Sequence, residues 1–137
     1  FMIILHGPAL IHRIADPSIR ALASHRFSQI LSGEPYDYDR HGYMIVVEPE
    51  DSIESLESET CCSIIHNAFD GTHFGDFDFT PCFEALEEHG NCYEMLFILN
   101  DEGFAIVIFI PKHSEIDPRL LALCTEYAVP AVALTHS

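Results

Sequence analysis

The chain of 137 residues carries 22 acidic residues against 6 lysines and arginines, for a formal net charge of −16, and 48% of its residues are hydrophobic. This length is typical of one domain and the apolar content excludes global disorder, so we expect a single α+β domain over residues 1–137. The charge excludes direct binding of nucleic acid or of an anionic membrane, and every apolar run is far shorter than the ~20 residues of a membrane span.

The first residues, Phe1–Leu5, are apolar but lack the basic lead and the small-residue cleavage site of a signal peptide. We therefore expect a cytoplasmic protein. Its five cysteines are an odd number without C-x-x-C spacing, so we expect reduced and mostly buried thiols.

The N-terminal region predicts a short strand and an irregular turn within Leu5–Ile14, followed by a helix. Asp16 suits the N-cap of that helix and Pro17 its first position, while Gly33 ends it. Apolar residues recur at helical spacing along it and predict one buried face: Ile19, Leu22, Ala23, Phe27, Ile30 and Leu31.

A polar loop, Glu34–His41, carries two tyrosines, Tyr36 and Tyr38, that we expect to be exposed. The apolar run Gly42–Glu48 then predicts a strand with two buried faces. Both faces of such a strand need cover, which is typical of the interior of a sheet.

The next predicted helix begins at Asp51, because Glu54 stands three residues later as in a capping box, and it ends near Thr60. The segment Cys61–Ile65 predicts a short edge strand. Cys61 and Cys62 lie among glutamates, which disfavours a reactive thiolate.

The segment His66–Phe79 is long for a plain loop and combines phenylalanines, aspartates and histidines, a composition that suits a functional loop. After it, Thr80–Pro81 suggests a cap and a helix over Pro81–His89. In that helix Phe83 and Leu86 face inward, and three glutamates face solvent: Glu84, Glu87 and Glu88.

Two apolar runs, Tyr93–Leu99 and Phe104–Ile110, flank Asn100–Gly103 and predict a β-hairpin over 93–110. Both faces of each arm are apolar, so the hairpin is expected at the centre of the sheet.

Asp117–Pro118 predicts a last helix, and Val129–Leu134 a terminal strand. The expected fold is therefore an α+β domain with a mainly antiparallel sheet of three to five strands, packed against three to four helices. If helices cover only one face, the other face is expected to form a homodimer.

No phosphate-binding loop, nucleophile elbow or metalloprotease motif occurs, so catalysis is not expected and no cofactor is predicted. The alternative is a divalent metal held by imidazole and carboxylate groups in the functional loop, with Asp76 and Asp78 nearby. Its ligands would be His66, Asp70 and His73.

Between His41 and Ile110 the chain has fifteen acidic residues and no lysine or arginine. This pattern predicts a non-catalytic interaction protein that binds a basic protein surface, as inhibitors, immunity proteins and nucleic-acid mimics do. Tyr36 and Tyr38 are candidate aromatic anchors. The predicted binding residues are Asp76, Asp78, Glu84, Glu87, Glu88, Glu54, Glu57, Phe74 and Phe77.

Two other interpretations stay open. The acidity has a plain explanation if it only keeps a small protein in solution. Alternatively the chain is a small-molecule- or metal-binding domain, or an enzyme, that uses the His66–Asp78 loop, with an organic cation as one ligand class.

Overall fold

The computed structural model describes residues 1–61, 82–98 and 103–131, with side chains for all of these except 82–84. Several predictions fall outside these residues: the edge strand beyond Cys61, the loop His66–Phe79, most of the hairpin turn and the end of the terminal strand. Among the described helices, none combines the length and the apolar character that crossing a membrane requires.

The described elements are two small helical segments, three longer helices and six strands. In chain order they are β1 (Ile3–Leu5), a 3₁₀ helix (Pro8–Arg13), α1 (Pro17–Leu31), α2 (Tyr38–His41), β2 (Gly42–Val46), α3 (Ile53–Thr60), β3 (Cys82–Glu88), β4 (Cys92–Ile98), β5 (Ala105–Pro111), α4 (Pro118–Tyr127) and β6 (Val129–Pro130).

The strands form one sheet of six, in the order β1-β2-β5-β4-β3-β6. Two of its pairs are parallel, β2 with β5 and β3 with β6, and the other three are antiparallel. The class is α+β as predicted, but the expected mainly antiparallel sheet of three to five strands with three to four helices is wrong. The parallel pairs join strands distant in sequence, and alternation within a strand carries no information about such partners.

The predicted hairpin is confirmed where the structure describes it. β4 and β5 pair antiparallel from Cys92 opposite Pro111 to Ile98 opposite Ala105, and they occupy the two central places of the sheet. Gly103 follows the turn with φ +90, a value that glycine adopts readily.

Helices cover both faces of the sheet. Ile106, Ile108 and Ile110 of β5 share a buried cluster with α3 and α4. Val107 and Phe109 of the same strand pack in a second cluster with α1. The homodimer was expected only if helices left one face of the sheet uncovered. Because both faces are covered, this reason for a dimer does not apply, and the homodimer stays a prediction.

The helix predicted over Pro81–His89 is wrong, because residues 82–88 form strand β3. A β-bulge explains the misleading pattern. Phe83 pairs with Phe97 and Leu86 with Met95, so three residues along β3 match two along β4. Because of the bulge, Phe83 and Leu86 are three residues apart although their partners in β4 are only two apart. A spacing of three residues is typical of one face of a helix, which is why the sequence suggested a helix here.

The helix N-termini largely follow their predicted caps. The Asp16 side chain accepts hydrogen bonds from the backbone of Ser18 and Ile19, and the Asp117 side chain accepts one from Arg119. The predicted cap Asp51 is displaced by one residue, since Ser52 caps α3 and forms a reciprocal capping box with Ser55.

Candidate protein-binding surface

Strand direction gathers acidic residues at one end of the molecule. β2, β3 and β5 run the same way, so the segments that follow them emerge at a common end, where α1, α3 and α4 also begin. We call this the acidic end. It comprises Asp16, Glu48, Glu50, Asp51, Glu54, Glu88, Glu115 and Asp117.

Some of these carboxylates serve the fold itself. Asp16 and Asp117 cap helices, where the positive end of the helix dipole favours a negative charge. Asp51 is only 6% exposed, and its two carboxylate oxygens accept hydrogen bonds from the backbone of Met2 and Glu48. Such groups stabilise this end and are not offered to a partner.

Other acids at this end are exposed and paired with cations of the chain itself. Arg119 donates to Glu54 at 2.5 Å, and Lys112 donates to Glu88 at 2.6 Å. The N-terminal ammonium of Phe1 pairs with Glu50. Because exposed ion pairs contribute only about 0–1 kcal/mol, a basic partner can replace these cations with little loss of free energy.

Helix α3 carries the predicted binding residues Glu54 and Glu57, together with Glu59. Glu54 and Glu59 are exposed and Glu57 is half-buried, while Ile53 and Leu56 point into the core. No basic residue occupies the last turn of α3. Glu57 and Glu59 therefore oppose the negative end of the helix dipole.

The remaining predicted residues do not join α3 in one patch. Glu87 lies opposite Glu94 in the sheet and beside Arg26 of α1, on the face away from α3. Glu88 lies at the acidic end, next to Lys112. The other predicted binding residues lie outside the part of the chain whose side chains are described: Asp76, Asp78, Glu84, Phe74 and Phe77.

A buried ion cluster under α1 was not predicted from the sequence. Glu94 is 3% exposed and accepts hydrogen bonds from Arg26, at 2.6 Å from Nε and 2.8 Å from Nη2. His89 Nε2 lies 2.8 Å from the same carboxylate. The hydrogen bonds to Glu94, together with the negative charges of Glu94 and Glu87, raise the pKa of Arg26. A lone glutamate within the apolar run of β4 was the available signal for this cluster.

The segment before β2 forms an open concavity of about 650 Å³, lined by Glu34, Pro35, Tyr36, Asp37, Tyr38, Arg40 and His41. The candidate anchors Tyr36 and Tyr38 behave differently. Tyr38 is 42% exposed, whereas Tyr36 is half-buried and donates a hydrogen bond to the Gly42 carbonyl. Burial raises the pKa of Tyr36 to about 12, so it stays protonated and able to donate.

His41 is the natural candidate for acid–base chemistry in this concavity, but its ring is already engaged. It is 5% exposed, and its Nδ1 accepts a hydrogen bond from the Asp37 backbone at 3.0 Å. Its Nε2 faces a Glu34 carboxylate oxygen at 3.4 Å. Both ring nitrogens hold the loop in place, so this geometry favours binding over proton transfer.

Within the described residues, no group of three or more histidine, cysteine or acidic side chains is placed to hold a metal ion. The predicted ligands His66, Asp70 and His73 lie outside those residues, so the metal site stays a prediction. Metal analysis of the purified protein tests it. Stoichiometric metal that is lost in the His73→Ala variant would support this alternative.

Of the three cysteines whose side chains are described, two match the expectation of buried thiols and one does not. Cys92 and Cys124 are buried, and burial raises the pKa of each to about 12. Cys61 is exposed at the end of α3, with φ +56. The two buried thiols are therefore core side chains and not nucleophiles.

Comparisons of the chain with known protein families, with curated proteins and with solved structures each found no significant match. The function is therefore inferred from the geometry and charge of the chain itself.

Proposed function

We propose that the chain is a non-catalytic interaction module that binds a basic protein surface, with α3 at the centre of the contact. The observation that carries the proposal is the position of Glu57 and Glu59 in the last turn of α3. Each acid there opposes the helix dipole by about 0.3–1 kcal/mol. Solubility alone requires no pair of acids at a helix end, since the same charge elsewhere on the surface avoids that penalty. In α4 a single acid, Glu126, lies in the last turn.

The net charge of −16 supports the same function, because it raises the rate at which a basic partner associates. A field of one sign attracts an oppositely charged partner over a distance of about a Debye length and speeds its association. The effect falls as salt rises, because the Debye length shortens from about 30 Å at 0.01 M to about 8 Å at 0.15 M.

The test is affinity capture with the immobilised chain, followed by titration of each captured protein against two variants. Glu57→Lys/Glu59→Lys reverses the charge on α3. Glu115→Lys/Glu126→Lys changes the net charge equally at two exposed residues outside α3, one at the acidic end and one in the last turn of α4, so it tests whether α3 itself forms the contact. We expect the first variant to weaken binding about tenfold or more and the control to weaken it about two- to threefold.

The captured proteins are expected to be basic and to dissociate as salt rises. Capture that is insensitive both to salt and to the α3 reversal would contradict the proposal. Equal weakening by the two variants would also contradict it, since affinity would then follow net charge and not a defined surface.

A further inference from the structure

We propose that the concavity beside α2 receives an arginine side chain of the basic partner, stacked on Tyr38 and paired with the carboxylates of Glu34 and Asp37. This inference rests on the proposed function and names a specific contact within it. It concerns residues outside α3.

Tyr38 is exposed and yet held in place from behind. Its ring stacks on Tyr43 with centroids 5.9 Å apart and an interplanar angle of 15°. Phe104 meets it edge-on at 5.7 Å, and His6 lies 5.1 Å away. A ring that is both exposed and fixed loses little conformational entropy when a partner binds, which is typical of interface hot spots.

The carboxylates make the concavity suitable for a cation. Glu34 and Asp37 line it together with Tyr38, and Asp39 is exposed on the same short helix. Arg40 already places a guanidinium there, with its Nε 3.0 Å from Glu34 Oε2. Since the side chains of both members of this pair are at least half exposed, an incoming guanidinium can share or replace it.

Arginine suits this surface better than lysine. A guanidinium is planar, so it stacks on a tyrosine ring while its edge donates two hydrogen bonds to a carboxylate. An ammonium offers neither geometry and holds its hydration more strongly. The arrangement therefore predicts a preference for arginine beyond what charge alone produces.

The test titrates the chain with a hexa-arginine peptide and a hexa-lysine peptide of equal charge, and follows the Tyr38 ring protons by NMR. We expect the arginine peptide to bind about threefold or more tightly than the lysine peptide and to shift the Tyr38 signals. Tyr38→Ala is expected to weaken the arginine peptide about 3- to 30-fold and to remove the preference. Equal affinities for the two peptides would overturn the inference.

Two substitutions separate a binding role of Tyr38 from a structural one. Tyr38→Phe keeps the aromatic face and is expected to stay within about threefold of the wild type. Tyr38→Leu keeps apolar bulk without the ring and is expected to bind as weakly as Tyr38→Ala. If leucine restores binding as well as phenylalanine does, the stacked guanidinium is excluded.

The α3 reversal Glu57→Lys/Glu59→Lys, titrated with the same peptides and with captured partners, distinguishes the two proposals. If that variant weakens partner binding and Tyr38→Ala does not, the arginine contact is overturned and the proposed function stands. If only Tyr38→Ala weakens partner binding, the arginine contact stands and the role of α3 is wrong. If neither variant weakens it, both proposals are overturned.

Discussion

At Gly42, β5 lies too close to β2 to leave room for a side chain. The φ of Gly42 is +88, and a Cβ built on it would lie 1.9 Å from the carbonyl oxygen of Ala105. This oxygen belongs to the backbone of β5 in the centre of the sheet, so it cannot move aside without disturbing the pairing of the strands. Gly33 has a similar φ of +83, but among the described residues no atom lies within 4 Å of its built Cβ.

We therefore expect Gly42→Ala and Gly33→Ala to differ strongly. Both substitutions incur about 1–2 kcal/mol from the positive φ, and Gly42→Ala adds about 1–3 kcal/mol of steric overlap. Urea denaturation of the two variants measures the difference in the free energy of unfolding. Equal losses would mean that β2 and β5 do not approach this closely.

The side chain of Asp117 accepts hydrogen bonds from the first turns of two helices. Its Oδ1 accepts a hydrogen bond from the backbone of Arg119 in α4, and its Oδ2 accepts one from the backbone of Ile53 in α3. The side chain of Arg119 also donates to this carboxylate. These hydrogen bonds, chiefly the one from the Arg119 side chain, lower the pKa of Asp117.

Asp117→Asn should lower the free energy of unfolding by about 1–2 kcal/mol at neutral pH, because it removes the charge and one acceptor. Since the folded pKa is depressed, this contribution is present above the ordinary Asp value of about 3.8 and is lost as pH falls through the folded pKa. The gap between wild type and variant should therefore stay constant from pH ~7 to ~5 and close below pH ~4.

Denaturation at a series of pH values measures this gap. Asp16→Asn is the matched control, since Asp16 caps only α1 and its own pKa is also lowered. A gap that widens as pH falls would contradict the assignment of Asp117 as a charged double cap.

Helix α1 is attached to the sheet by the cluster of Arg26, Glu94 and His89. The two partners differ in access to water, because the side chain of Glu94 is 3% exposed and that of Arg26 is 21% exposed. Without Arg26, the carboxylate is left buried beside His89 and Glu87. Without Glu94, the longer arginine side chain can still reach solvent.

Arg26→Met is therefore expected to cost about 3–5 kcal/mol and Glu94→Leu clearly less. The double variant should recover much of the loss from Arg26→Met, since apolar residues of similar size often replace a buried ion pair without harm. A double-mutant cycle by chemical denaturation measures the coupling. Additive effects would show that the two side chains do not depend on each other.

At the scale of the whole molecule, the net charge of −16 opposes compactness through self-repulsion. Raising NaCl from about 0.01 M to about 0.15 M shortens the Debye length from about 30 Å to about 8 Å, so the melting temperature should rise by several degrees. Thermal unfolding followed by circular dichroism measures this rise.

Glu57→Gln/Glu59→Gln should raise the melting temperature at low salt and reduce its dependence on salt, because it removes two like charges from the end of α3. A melting temperature that falls as salt rises would instead show that exposed ion pairs such as Arg119 with Glu54 dominate the electrostatics.

What the sequence alone determined is local. The hairpin β4–β5, the helices beginning at Asp16 and Asp117, and the two-sided burial of β2 follow from turn residues, caps and alternation. Each of these signals acts within a few residues of the chain. The proposal of a cationic partner also rests on the sequence, since the net charge adds up regardless of the fold.

Only the tertiary structure decided which strands are neighbours and which acids share a surface. The parallel pairing of β2 with β5 depends on a partner far along the chain. Cys82–Glu88 is a strand because it pairs with β4 around a bulge, which the apolar spacing does not reveal. The same pairing places Glu87 beside Arg26, away from α3. The fixed position of the Tyr38 ring arises because Tyr43 and Phe104, 61 residues apart in number, meet behind it. Contacts of this kind come from the packing of the sheet, which a linear pattern does not encode.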